Sequence, residues 1–155
     1  MTVSARLKSF LDENKTPHTV MSHAVAYTAQ AAAAVMHVSG KEVAKTVVVR
    51  AGDTTVLAVL PAACHVNLDR LGQLLGNPAR LATEQEFSDL FPDCELGAMP
   101  PFGQLYDLPV YVDETLAADE EIVFNAGTHR DAVRMRYADF VRLATPRTGS
   151  FAEKG

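Results

Sequence analysis

The sequence predicts a single mixed α/β domain, and three observations lead to that prediction. Its 155 residues, 48% hydrophobic and 21% charged, suit one compact unit with a full core. Segments of helical periodicity alternate with short β-branched runs along the chain. Two of those runs, 43–50 and 55–60, flank the turn Ala51-Gly52-Asp53-Thr54 and read as a hairpin.

Taken in order, Ser4 caps a short helix whose apolar positions are Leu7, Phe10 and Leu11, ending near Asn14 and Pro17. His18 to Met21 reads as a short strand. Thr28 then caps an alanine-rich helix running from Ala29 to His37 and stopping at Gly40. After the hairpin, Asn67 opens a helix through Leu68, Leu71, Leu74 and Leu75, closed by Gly76-Asn77-Pro78. A brief extended piece, 79–81, leads to the capping box Thr83-x-x-Glu86 and a helix to Leu90. Residues 91–108 carry few regular-structure signals, and long ordered loops in compact domains are commonly functional. Strands follow at 109–113, 121–126 and 131–137; in the last, Val133, Met135 and Tyr137 alternate with Ala132, Arg134 and Arg136. A final helix spans 137–143. The domain is expected to cover 1–144, with 145–155 a flexible polar tail.

Within the first strand of the hairpin, side chains repeat every two residues. Lys45 therefore shares a face with Val43, Val47 and Val49, while Thr46, Val48 and Arg50 face the other way. An ammonium on an apolar face is costly unless something pairs with it, which makes Lys45 the first candidate functional residue. The alternative is a lysine that reaches past the strand end to water, or a register shifted by a bulge.

Composition excludes several classes. A net charge of −5 argues against extensive wrapping of nucleic acid, though not against a pocket for the end of one. No apolar run approaches a membrane span, and the start of the chain lacks the basic-then-apolar pattern of a signal peptide, so the cytoplasm is expected and no membrane or DNA partner is. Cys64 and Cys94 are far apart and outside any Cys-x-x-Cys spacing, and the five histidines show no metal-ligand spacing. No metal and no cofactor is assigned. Nucleophile-elbow, Walker and dinucleotide-binding glycine patterns are missing too, so chemistry here would use water or the substrate's own groups.

Two further segments stand out. In Gly97-Ala98-Met99-Pro100-Pro101-Phe102-Gly103, two glycines allow tight turns and close backbone approach, while paired prolines stiffen the segment. The turn Asn125-Ala126-Gly127-Thr128-His129 places a histidine at a hairpin tip.

A lysine in Val43-Ala44-Lys45-Thr46, a Gly-x-x-x-Pro loop from Gly97 to Pro101 and an Asn-Ala-Gly-Thr-His turn from Asn125 to His129, in that order and spacing, resemble the YbaK/prolyl-tRNA synthetase-associated editing domain. The resemblance covers roughly residues 15–143. It implies a mixed, mostly antiparallel curved sheet closing toward a barrel, with helices outside. It also implies a trans-editing aminoacyl-tRNA deacylase, which hydrolyses the ester of a wrongly attached small amino acid at the tRNA 3′ end. By that resemblance Lys45, Gly97 and Pro101 are the catalytic positions; Ala98, Met99, Pro100, Phe102, Gly103, Asn125, Gly127, Thr128 and His129 bind substrate.

Physically, backbone N–H groups of the loop suit the oxyanion of ester hydrolysis, and Lys45 suits an electrostatic anchor rather than a nucleophile. The resemblance also implies attack by a water oriented by the ribose hydroxyl, and a His129 that lines a pocket for an alanine-like side chain. The expected partners are the aminoacyl-tRNA acceptor end and an aminoacyl-tRNA synthetase. Contact with the acceptor end would be weak and salt-sensitive, helped by Lys41, Arg50 and Arg80. The competing reading is a non-catalytic module that binds a nucleotide or aminoacyl ligand in a regulatory role.

Overall fold

Helix α1 (Ala5–Glu13) begins where Ser4 Oγ accepts a hydrogen bond from Leu7 N, and it buries Leu7 and Leu11 completely. The structure, a computed structural model, describes residues 4–154. Strand β1 (His18–Ser22) precedes α2 (Ala29–Met36), which is capped by the Thr28 side chain and stopped by His37 in the left-handed region. Strands β2 (Ala44–Ala51) and β3 (Thr54–Pro61) form the expected hairpin, with Lys45 opposite Leu60.

Next come β4 (Cys64–Val66), α3 (Leu68–Leu75) capped by Asn67, β5 (Ala79–Leu81) and the short α4 (Glu84–Phe87), where both halves of the Thr83–Glu86 capping box form. The loop that follows holds a 3₁₀ turn at Gly103–Tyr106. It leads to β6 (Val110–Asp113), β7 (Glu121–Asn125), β8 (Asp131–Arg136) and α5 (Tyr137–Ala144). The chain ends in β9 (Arg147–Gly149) and β10 (Ala152–Lys154).

The strands form three hydrogen-bonded sheets, where the resemblance implied one curved sheet closing toward a barrel. Their orders are β5-β2-β3-β6-β9, β1-β8-β7 and β10-β4. Pairing is mostly antiparallel, the exceptions being β3 with β6 and β6 with β9. A parallel bridge from Val43 to Val123 joins β2 to β7 and so connects the first two sheets.

The central sheet is covered on both faces. Ala44 and Val48 of β2 pack into the main core with Leu57, Val59 and Phe102, while Val49 packs with Val56, Leu60, Leu71 and Phe151 on the other side. The alternation inferred for β2 is therefore right in parity, but neither face is the wet one. Covered sheets read as near-continuous apolar runs, which is what 47–49 and 56–60 show.

Within the segment expected to be a flexible tail, residues 147–154 instead carry β9 and β10. Phe151 is fully buried, β9 extends the central sheet and β10 pairs with β4. Asp113 fixes it there: Oδ1 accepts hydrogen bonds from Phe151 N at 2.8 Å and Ala152 N at 2.7 Å. Three residues give β9 and β10 too little periodicity to stand out within a polar segment.

Candidate functional site

Beyond the Val43–Val123 bridge, β2 and β7 part, and a cavity of about 440 Å³ opens between them. Odd-numbered residues of β2 bond to β3, as the hydrogen bond from Ala62 N to Val43 O shows. Even-numbered ones face away, and Val48 O accepts from Ala82 N on that side. Between that bond and the bridge, the peptide edge of Thr46 has no strand beside it among the described residues. The cavity occupies this gap.

Lys45 and Thr46 both line it, from opposite faces of the strand. Lys45 is half-buried, and no carboxylate among the described residues pairs with it. Burial lowers its pKa from the ordinary 10.5, partly opposed by the nearby Cys64. Thr46 Oγ1 is buried and makes no hydrogen bond among the described residues. Thr28, Ala29 and Gln30 bring the N-terminal end of α2 to the same cavity, with its positive dipole end and free N–H groups. No aspartate or glutamate lines it.

Opposite β2 stand Gly97 and Met99, with Asn125 from the end of β7. The loop and the turn that sequence singled out are laced together. Glu95 N donates to Gly127 O (2.8 Å), Gly127 N to Ala98 O (2.9 Å) and His129 N to Glu95 Oε1 (2.7 Å). The His129 ring contacts Leu96 O through Nε2 at 2.7 Å. A carbonyl oxygen only accepts, so Nε2 carries the proton and the neutral ring keeps a lone pair on Nδ1. Nδ1 is buried and has no partner among the described residues.

Gly97 has φ +84 and Gly127 φ +101, a region that favours glycine. At Gly127 a side chain would also press on Ser4, whose N donates to Ala126 O. Ser4 Oγ in turn donates to Asp93, which accepts from Tyr106 as well, so α1 braces this turn.

The predicted site residues therefore divide. Lys45, Gly97, Met99 and Asn125 line the cavity. Ala98, Pro100 and Pro101 are buried behind it, forming the stiff base of the loop. Phe102 is fully buried among Phe10, Phe124 and Phe140 at ring distances of 5.5–5.7 Å, so it is core and not a substrate contact. Gly103 is small for packing reasons, because a Cβ there would overlap the Leu108 carbonyl oxygen. Thr128 Oγ1 donates to Asp131 and accepts from the N–H groups of Arg130 and Asp131, shaping the turn.

His129 and Thr128 face a second cavity of about 400 Å³, also lined by Val25, Glu95 and Arg130. Tyr27 forms part of both cavity walls, with its ring centroid 5.1 Å from that of His129.

Sequence reading missed Tyr27, Thr46 and the wall formed by Ala62, Ala63, Cys64 and His65. An aromatic directly before the Thr28 cap is the one signal that could have flagged Tyr27. Cys64, expected as a small core or loop residue, is a wall residue. Cys94 is not reactive by this geometry: burial pushes its thiol up to about 11. Of the cations expected to meet tRNA, Arg80 makes a bidentate pair with Glu86 and Arg50 lies 3.9 Å from the same carboxylate. Only Lys41 of the three is exposed with no ion pair among the described residues.

Comparison with known proteins agrees with the motif order. The chain is 36% identical over 98 residues to the multifunctional Ser/Thr-tRNA deacylase ProXp-y of Escherichia coli K12; the match covers 62% of this chain and 58% of that protein. Among solved structures, a candidate trans-editing enzyme for prolyl tRNA synthetase superimposes with a TM-score of 0.83 at 23% identity, covering 97% of this chain and 96% of that one. The hypothetical protein APE2540 superimposes with a TM-score of 0.87 at 20% identity, covering 96% and 99%; both likenesses establish the mixed α/β fold. The model of the aminoacyl-tRNA editing domain matches residues 23–143, which hold both cavities' loop, turn and strand, and the chain belongs to that family.

Proposed function

We propose that this protein hydrolyses the ester of a mischarged aminoacyl-tRNA carrying a small amino acid, with the terminal aminoacyl-adenosine held in the main cavity. One observation carries the reading. In a chain of net charge −5, the cavity presents the Lys45 ammonium and the N-terminal end of α2, with no carboxylate in its wall. Such a site favours a phosphate-bearing substrate and the negative charge that develops on an ester carbonyl oxygen.

In the proposed reaction, water adds to the ester carbonyl carbon, the bond to the ribose oxygen breaks and a proton passes to that oxygen. Lys45 and the N–H groups of Gly97 and Met99, which have no partner among the described residues, stabilise the oxyanion. Thr46 Oγ1 and the free peptide edge of β2 orient the aminoacyl group. The ribose hydroxyl directs the water, as the family resemblance implies.

An alanine-like side chain fits the sequence reading, and the named activity of the E. coli relative adds serine and threonine as candidates. Polar side chains in the cavity wall, Thr46 and Asn125 among them, do not penalise an added hydroxyl, so overlap among these is expected. The acceptor end of tRNA, delivered with or without a synthetase, is the proposed partner.

The test is a deacylation screen over alanyl-, seryl-, threonyl-, cysteinyl- and prolyl-tRNA. Release of a small amino acid that Lys45→Ala abolishes and Cys64→Ser preserves supports the reading. Saturable binding with no turnover of any substrate would replace it with the binding module.

A further inference from the structure

The second cavity has no role in the reaction just described, yet it is built rather than incidental. His129, only 7% exposed, lines it with a ring held in place through Nε2 on the Leu96 carbonyl. Glu95, which also lines the cavity, is held by its bond from His129 N and adds carboxylate acceptors.

Tyr27 forms the wall shared with the main cavity and is 75% exposed, which leaves most of its ring open to a stacking partner. It is not loosely placed: Ala26 N donates to His129 O at 3.1 Å, and the Thr28 cap of α2 follows directly. Arg130, exposed at the rim, has no carboxylate partner among the described residues.

We infer that the second cavity seats the nucleotide preceding the terminal aminoacyl-adenosine, with its base stacked on Tyr27, its exocyclic amino group directed to the Glu95 carboxylate, and its phosphate near Arg130. This rests on the proposed function, because it presumes that an RNA end enters the main cavity. Two consecutive nucleotides of one strand reach both cavities, since a single side chain separates them. The Glu95 carboxylate, which only accepts, favours cytosine or adenine, whose amino groups donate, over uracil, whose O4 accepts. Exposed aromatics with a nearby cation are the common platform for single-stranded nucleic acid.

The test uses hydrolysis-resistant probes with the full chain: 3′-alanylamino-3′-deoxyadenosine, and the same compound extended at its 5′ side by cytidylate or by uridylate, with Kd measured by calorimetry. The cytidylate is expected to tighten binding about tenfold in the wild type and in Tyr27→Phe, the low end of what base stacking supplies. It should add almost nothing in Tyr27→Ala, and uridylate should add less than cytidylate. Reading a ratio of two affinities cancels any general loss in a variant.

Equal affinity for the adenosine and cytidylate probes in the wild type, or a tenfold gain that survives in Tyr27→Ala, overturns the inference. An equal gain from uridylate overturns the amino-group contact. Hydrolysis of aminoacyl-tRNA with no cytidylate gain would sink the inference and leave the proposed function standing. A gain without hydrolysis would do the reverse.

Discussion

Gly97 lies against the His129 ring, close enough that a Cβ at Gly97 would stand 3.5 Å from His129 Cε1. Ordinary contact at that distance leaves space as the lesser obstacle. The backbone is the greater one, because φ is +84 and a side chain there costs about 1–2 kcal/mol. Gly97→Ala should lower the thermal midpoint by roughly 2–8 °C and cut deacylation kcat/KM at least about tenfold, since the N–H groups beside it shift. A variant with wild-type kinetics would remove the loop from the reaction.

Lys45 is held at a cost to the empty protein. Desolvation lowers its pKa, so the charged form is less favourable folded than unfolded. Replacing it by methionine should abolish deacylation while leaving the thermal midpoint unchanged or higher. The sign with pH follows. The penalty is present below the lowered folded pKa and fades as pH rises from there toward 10.5, so any stability advantage of Lys45→Met should shrink over that alkaline window. Melting curves of both proteins across pH 7 to 10.5 check this, and an advantage that grows with pH would contradict it.

Phe102 sits in the core, so its substitution should act through stability. Phe102→Ala removes a fully buried ring and is expected to cost about 3–5 kcal/mol. Phe102→Leu should cost less and leave the KM for aminoacyl-tRNA unchanged once activity is scaled to folded protein. A raised KM in the leucine variant would return Phe102 to the substrate site.

Asp113 should govern acid stability. Burial pushes its pKa up, but hydrogen bonds from the Thr115 side chain and from the N–H groups of Phe151, Thr115 and Ala152 outweigh that and hold it below the ordinary 3.8. Its contribution is then fully present above 3.8 and lost as pH falls through the lower folded value. Asp113→Asn should be clearly less stable at pH 7, with the gap to wild type closing below about pH 4. Urea titrations at pH 7 and pH 3 measure the gap, and one that persists at pH 3 would mean the carboxylate charge is not what matters.

What sequence revealed follows the range of the forces involved. The helix caps at Ser4, Thr28, Asn67 and Thr83 are local hydrogen bonds and were legible, as was the hairpin of two eight-residue strands around Gly52. The strands β4, β9 and β10 are three residues each and exist through partners far along the chain, so no local pattern marks them. Lys45 stood out because a charge interrupts an apolar run. Thr46 and Tyr27 did not, because a threonine in a strand and a tyrosine before a helix are ordinary; only the unpaired edge beside one and the exposure of the other give them meaning. Phe102 misled for the converse reason, since its position next to the motif is sequential while its packing is with α1 and α5.

The pairing of β10 with β4 also sets an order of events during synthesis. Cys64 and His65, which form one wall of the main cavity, belong to β4, and the strand hydrogen-bonded to them is β10, almost ninety residues later in the chain. Lys45, the loop and the turn are all translated before that partner exists. A nascent chain can therefore carry every candidate catalytic residue and still have an unsupported cavity wall until residues 152–154 emerge, which delays the appearance of a finished site until that strand is made.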